Sequence, residues 1–194
     1  MVLQSNTNTD EMRKKVILAV GAHPDDMDFG ASGTIAKWVE EGASAYYLIL
    51  TDGSRGSSDS KMTHKKLAAI RKKEQEGAGR ILGLKKIFFL NHTDTQLIAD
   101  FSLKEEISRV IKTVRPNIVI TMDPTFYYSQ KSGFVNHTDH RAAALATFVA
   151  HHLEQGVSLV LLSKVLGHKR LSTTERYLEY VKDRGKETNT LLEL

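Results

Sequence analysis

The sequence contains no cysteine. That absence excludes disulfide bonds, thiolate-bound metal and a cysteine nucleophile together. Long apolar runs are missing too: nothing approaches the ~18 consecutive residues that a membrane-spanning helix requires. The opening Met1-Val2-Leu3-Gln4-Ser5-Asn6 is polar, unlike a secretory signal peptide, so a cytoplasmic protein without a membrane partner is expected. Nor is there a concentrated basic stripe. The net charge of +4 divides into +3 over residues 1–148 and +1 over 149–194, and so mild a balance gives no reason to expect a nucleic-acid partner. What remains is ordinary: 41% hydrophobic and 26% charged residues over 194 positions suit one α/β domain with a real core, or a domain with a small appendage.

Strand-like and helix-like segments alternate through the first three-quarters of the chain. Val16-Ile17-Leu18-Ala19-Val20 is almost wholly apolar, as a strand buried on both faces must be. Residues 45–50, 86–90 and 117–121 read as three more strands. Helical patterns occupy about 33–41, 63–82 and 103–114, ended by Gly42, Gly83 and Pro116 respectively. Such alternation predicts a parallel sheet with helices on both faces, and in such sheets ligands bind at the carboxyl ends of the strands. Residues 122–136 have no clear period and read as a loop. From Arg141 onward only helical periodicity is found, so the sheet is expected to stop at four strands.

Chemistry-bearing residues gather where that rule says to look. The first strand runs into Gly21-Ala22-His23-Pro24-Asp25-Asp26, an imidazole and two carboxylates in a turn stiffened by Pro24. A second cluster, Asn136-His137-Thr138-Asp139-His140, opens a helical pattern in which His137 and His140 share a face at i, i+3 spacing. Two His and one Asp around zinc leave a fourth position for water. Zinc lowers the pKa of such a water from ~15.7 towards ~7. A carboxylate beside the metal can take the proton, and a spare imidazole can stabilise the oxyanion or protonate the leaving amine. Asp25 and His137 are available for those tasks. Together these are the parts of a metal-assisted amide hydrolase.

Six blocks occur in one order: Ala22-His23-Pro24-Asp25-Asp26, Ser32-Gly33-Thr34, Leu50-Thr51-Asp52-Gly53, Arg71 with Glu74, Arg115-Pro116, and His137-Thr138-Asp139-His140-Arg141. In this the chain, over about residues 14–148, resembles the PIG-L/LmbE-like deacetylases. That family includes N-acetylglucosaminyl-phosphatidylinositol, mycothiol-pathway, bacillithiol-pathway and diacetylchitobiose deacetylases. The resemblance implies a Rossmann-like three-layer α/β domain and zinc-dependent removal of acetate from an N-acetylated glucosamine. It implies His23, Asp26 and His140 as zinc ligands and Asp25 as general base. His137 becomes the acid or oxyanion partner, oriented by Asp139, while Arg71 and Asp94 bind sugar hydroxyls. Ser54, Arg55, Tyr127 and Tyr128 are read as solvated loop residues, and His64 and His92 as surface residues. The chain departs from the family in Met27-Asp28 where Glu is frequent, in Ser32 where Gly is common, and in lacking further strands after the last block.

The tail follows another pattern. Leu153-Glu154-Gln155-Gly156-Val157, Leu166-Gly167-His168 and Leu171 to Tyr177 resemble the end of a tyrosine recombinase (phage integrase) catalytic domain. That family needs two arginines, a lysine and a His-x-x-Arg block upstream, and Ala142-Ala143-Ala144-Leu145 stands where the block belongs. Without cations to stabilise the phosphoryl charge, Tyr177 cannot act. The expected organisation is a deacetylase-like domain over 1–146 and a short helical tail over 147–194. The expected partner is a small N-acetylated amino sugar, with homo-oligomerisation left open. Two other readings remain: a DNA-binding or recombinase-related remnant, and an inactive metal-binding module.

Overall fold

The computed structural model describes residues 12–155. The recombinase-like His168 and Tyr177, and nearly all of the expected tail, lie outside them. Four strands, β1 (Val16–Gly21), β2 (Ser44–Thr51), β3 (Lys86–His92) and β4 (Ile118–Ile120), form one sheet in the order β3-β2-β1-β4. Every pairing in it is parallel. Five helices join or follow them: α1 (Asp26–Gly30), α2 (Ser32–Glu40), α3 (His64–Ile81), α4 (Phe101–Val114) and α5 (Thr138–Glu154). This is the Rossmann-like α/β architecture that the alternation predicts.

Alternate residues of a strand point to opposite faces, so an unbroken apolar run supplies two cores. Leu18, Val20, Leu48 and Leu50 pack on one face with Leu103, Ile107 and Ile111 of α4 and Ala143, Ala146 and Ala150 of α5. Ile17, Ala19, Tyr47 and Ile49 pack on the other with Met27 of α1 and Ile35 of α2. The alanines of α5 allow its backbone close to the sheet. Caps set where the helices begin. Thr63 accepts a hydrogen bond from the Lys66 N–H at the start of α3, and Asp100 accepts one from Leu103 N–H at the start of α4. Arg115 takes the left-handed conformation after α4, and Pro116 prevents continuation.

The chain order decides where the site lies. From β1 it runs outward through β2 to β3, then crosses back to place β4 on the other side of β1. The strand order thus reverses between β1 and β4, and at such a switch point the carboxyl ends of the two strands border a crevice. The His23 cluster follows β1 and the His137 cluster follows β4, so both belong to that crevice.

Two local features differ from the sequence reading. The stretch taken as loop holds a short antiparallel hairpin, β5 (Tyr128–Ser129) with β6 (Phe134–Val135). Strands of two residues have no period to detect. The one-and-a-half-turn helix α1 is too short to show a pattern. A third feature bears on organisation: α5 runs unbroken past position 146, with Thr147, Val149, Ala150 and Leu153 all buried.

Candidate metal centre

The centre begins with a strained turn. Asp25 has φ of 93°, in the left-handed region that a non-glycine side chain rarely adopts. Three contacts hold it there. Its backbone N–H donates to Gln75 Oε1 at 2.8 Å, its carboxylate accepts from Arg71 Nη2 at 2.8 Å, and Arg71 also donates to the carbonyl of Pro24. Gln75 is buried and passes its amide N–H on to Asp28 Oδ2. Gly53 makes room for this clamp: with φ of 61°, a Cβ there would lie 2.6 Å from Arg71 Nη1 and 2.9 Å from Pro24 Cδ. Arg71 Nη1 donates to the Gly53 carbonyl as well.

Turning the chain at Asp25 starts α1 at Asp26 and brings its carboxylate back over His23. Asp26 Oδ2 accepts from His23 N–H at 2.8 Å and lies 3.7 Å from His23 Nδ1, while Asp26 Oδ1 lies 3.1 Å from His140 Nε2. His23, Asp26 and His140 thus offer ligand atoms within 4.8 Å of one another. Zinc–ligand bonds of ~2.05 Å in tetrahedral array separate ligand atoms by about 3.3 Å, and the contacts of the two imidazoles, each to a different oxygen of Asp26, are of that order. A second group, His23, His137 and Asp139, meets the same distance limit.

Hydrogen bonds distinguish the two groups. Asp139 is fully buried, and its oxygens accept from Thr95 N–H at 2.7 Å and Leu97 N–H at 3.3 Å. His137 Nδ1 accepts the backbone N–H of Asp139 at 3.1 Å, capping α5. These bonds take up part of the acceptor capacity of Asp139 and the Nδ1 of His137. Asp26 and His140 stay partly open to solvent.

His23 is held from behind. Its Nε2 lies 3.1 Å from Asp94 Oδ1 and 3.3 Å from Asp139 Oδ2. A ring N–H shared with carboxylates fixes the tautomer and leaves Nδ1 to face a metal. Burial works to lower the His23 pKa, but hydrogen bonds with Asp139 and Asp26 and the charges of Asp26 and Asp94 outweigh it and hold it up at about 9. For Asp26 burial works upward, and hydrogen bonds with His140 and His23 outweigh it, keeping the carboxyl well below the usual range. Three imidazoles meet four carboxylates here, a negative surplus that suits a cation once the imidazoles are neutral.

All eight residues singled out in the sequence lie in or against this cluster, and the contacts of three of them bear on their expected tasks. Asp94, expected at sugar hydroxyls, is only 4% exposed and faces His23, with its other oxygen accepting the Arg55 N–H at 2.8 Å. The carboxylate of Asp139 faces His23, its Oδ1 being 4.0 Å from His137 Nδ1. Arg71 is committed to Asp25, Pro24 and Gly53. Ser54, read as solvated, is buried, and Tyr127 packs under the Arg141 guanidinium at 4.5 Å. Gln75 and Asn136 had no role assigned from sequence. Nothing in a Lys- and Glu-rich helix marks one glutamine as buried.

The profile of the PIG-L family, described as GlcNAc-PI de-N-acetylase, matches residues 18–151. The chain is 40% identical over 129 residues to diacetylchitobiose deacetylase of Thermococcus kodakarensis, covering 66% of this chain and 46% of that protein. The solved structure of N,N′-diacetylchitobiose deacetylase from Pyrococcus horikoshii, complexed with its inhibitor MPG, superposes with a TM-score of 0.67 at 33% identity, over 73% of this chain and 51% of that one. The structure of GalB, a 4-carboxy-2-hydroxymuconate hydratase from Pseudomonas putida KT2440, gives 0.61 at 28% identity, over 73% and 57%. The chain spans about half the length of these relatives. With the match to its profile extending over most of the sequence, the chain belongs to the PIG-L family.

Proposed function

We propose that this protein is a zinc-dependent hydrolase that removes acetate from an N-acetylglucosamine-type substrate. The observation that carries the reading is the convergence of His23, Asp26 and His140 on one point, beside an unligated carboxylate and an unligated imidazole. Its chemistry is supported by the 40% identity to a diacetylchitobiose deacetylase.

In this reading His23 Nδ1, Asp26 and His140 Nε2 hold the metal. When bound, it supplies Lewis acidity that polarises the acetamide carbonyl and eases deprotonation of water. Asp25 is the proton acceptor. Its side chain is 49% exposed at the crevice, and Arg71 aims it. His137 receives the backbone N–H on Nδ1, which puts the ring proton of its neutral form on Nε2, a donor for the developing oxyanion. Asp94 and Asp139 keep His23 in register, and Arg71 acts through Asp25.

The direct test is release of acetate from N-acetylglucosamine and from diacetylchitobiose, with and without chelator. Chelator-sensitive release is expected; none from either sugar, with zinc supplied, defeats the proposal. A second reading has one specific support, the likeness to GalB at 28% identity. A hydratase adds water across a carbon–carbon double bond and liberates no acetate, so the same assay separates the two.

Zinc binding is expected to strengthen with pH. Below about 9 the metal-free His23 carries a proton that a ligand must give up. That competition alone weakens apparent affinity about tenfold per pH unit between 9 and the ordinary value of 6.5. The same shift stabilises the metal-free fold fully below 6.5, and the contribution fades as pH rises through about 9. Chelator competition at a series of pH values reads the slope; a flat profile means His23 surrenders no proton.

A further inference from the structure

We propose that Asn136 is a double-ended positioning residue which couples occupancy of the metal centre to the placement of the β5–β6 hairpin. The inference rests on the metal reading above. Asn136 is 7% exposed and lies between the hairpin and α5. Its Oδ1 accepts from His140 Nδ1 at 3.1 Å, and its Nδ2 donates to the carbonyl of Phe126 at 2.8 Å. Its backbone N–H donates to the carbonyl of Tyr127 at 3.0 Å.

The orientation of that amide is determined by its neighbours. Turned over, its NH₂ would face the Nδ1–H of His140 and its oxygen the carbonyl of Phe126, two repulsive pairs in place of two bonds. With Oδ1 on Nδ1–H, the other ring nitrogen of His140, Nε2, is the one turned to Asp26 and left for the metal position. Outer partners of this kind typically contribute 10- to 100-fold in metal affinity.

The other end holds the hairpin. Phe126 and Tyr127 are the residues by which the chain enters it, and Arg141, next to His140, covers the Tyr127 ring. Phe126 also stacks on Phe134 of β6, with ring planes 6° apart. The arm is open to solvent, with Tyr127, Tyr128, Phe134 and Val135 all more than half exposed. A metal that fixes His140 therefore fixes Asn136, and with it the carbonyls that anchor the hairpin. By linkage, a well-placed hairpin favours metal by the same factor.

The test uses the full chain, zinc with a competing chelator, and trypsin acting at the exposed Lys131 in the hairpin turn. Zinc is expected to slow cleavage at Lys131 in the parent protein. Asn136→Ala should bind zinc about 10- to 100-fold more weakly and lose the zinc-dependent protection. Asn136→Asp keeps an oxygen for His140 Nδ1 but has no donor for Phe126. It should therefore hold zinc within about threefold of the parent affinity, at the usual scale of conservative rescue, while Lys131 is cut faster at every zinc concentration. Cobalt substitution provides the independent signature: the visible spectrum of the Asp variant should match the parent and that of the Ala variant should not. Parental zinc affinity in Asn136→Ala, equal loss in Ala and Asp, or cleavage indifferent to zinc overturns the coupling alone. A parent protein that binds no zinc overturns the metal reading and this inference with it.

Discussion

Replacing Asp25 with asparagine is expected to leave zinc in place and reduce kcat by roughly 10²-fold or more, the scale on which removal of a general base is felt. Asp25 stands beside the candidate ligands without belonging to either metal-binding group. Asparagine keeps the size of the side chain and tolerates a φ of 93° better than most residues, so the turn should survive. The N–H bond to Gln75 is a backbone bond and is untouched. Arg71 loses one partner but keeps the carbonyls of Pro24 and Gly53. Metal analysis and turnover measured on the same preparation decide the matter. Loss of zinc together with activity makes Asp25 a ligand; unchanged turnover moves the base elsewhere.

His140→Ala is expected to remove most bound zinc and, with it, activity. Losing a ligand exceeds the ~10- to 100-fold penalty of losing an outer partner. The fold should persist, because the buried face of α5 is made by Ala143, Ala146, Val149 and Ala150, while His140 sits at the crevice and is partly exposed. The comparison variant is His137→Ala. If zinc occupies the alternative group of His23, His137 and Asp139, the pattern reverses: His137→Ala empties the centre and His140→Ala does not. Retained activity with low zinc content in both variants would refute a catalytic metal.

Much of the site was legible because its signals are local. An apolar run ending in His-Pro-Asp-Asp, and a His-x-x-His opening a helix, are properties of a few neighbouring residues. The alternation of strands and helices then placed both at one sheet edge. Assigned tasks were harder to read. Asp94 and Asp139 carry the same side chain as Asp25, yet two are buried against His23 and one is half exposed. Burial is decided by what packs above a residue, which no short motif records.

The sequence by itself determined the parallel sheet, the crevice and the set of imidazoles and carboxylates that meet there, since period, caps and strand ends are encoded within each segment. Tertiary structure alone decided how those groups divide the work. His23 meets Asp139 across 116 positions of sequence, and Asp25 meets Gln75 across 50. Contacts so distant depend on the register of strands and the tilt of helices, which set hydrogen-bond distances to within a few tenths of an ångström. A carboxylate becomes a ligand, a base or a support for an imidazole through that placement, because desolvation and hydrogen bonding act only on groups already brought together.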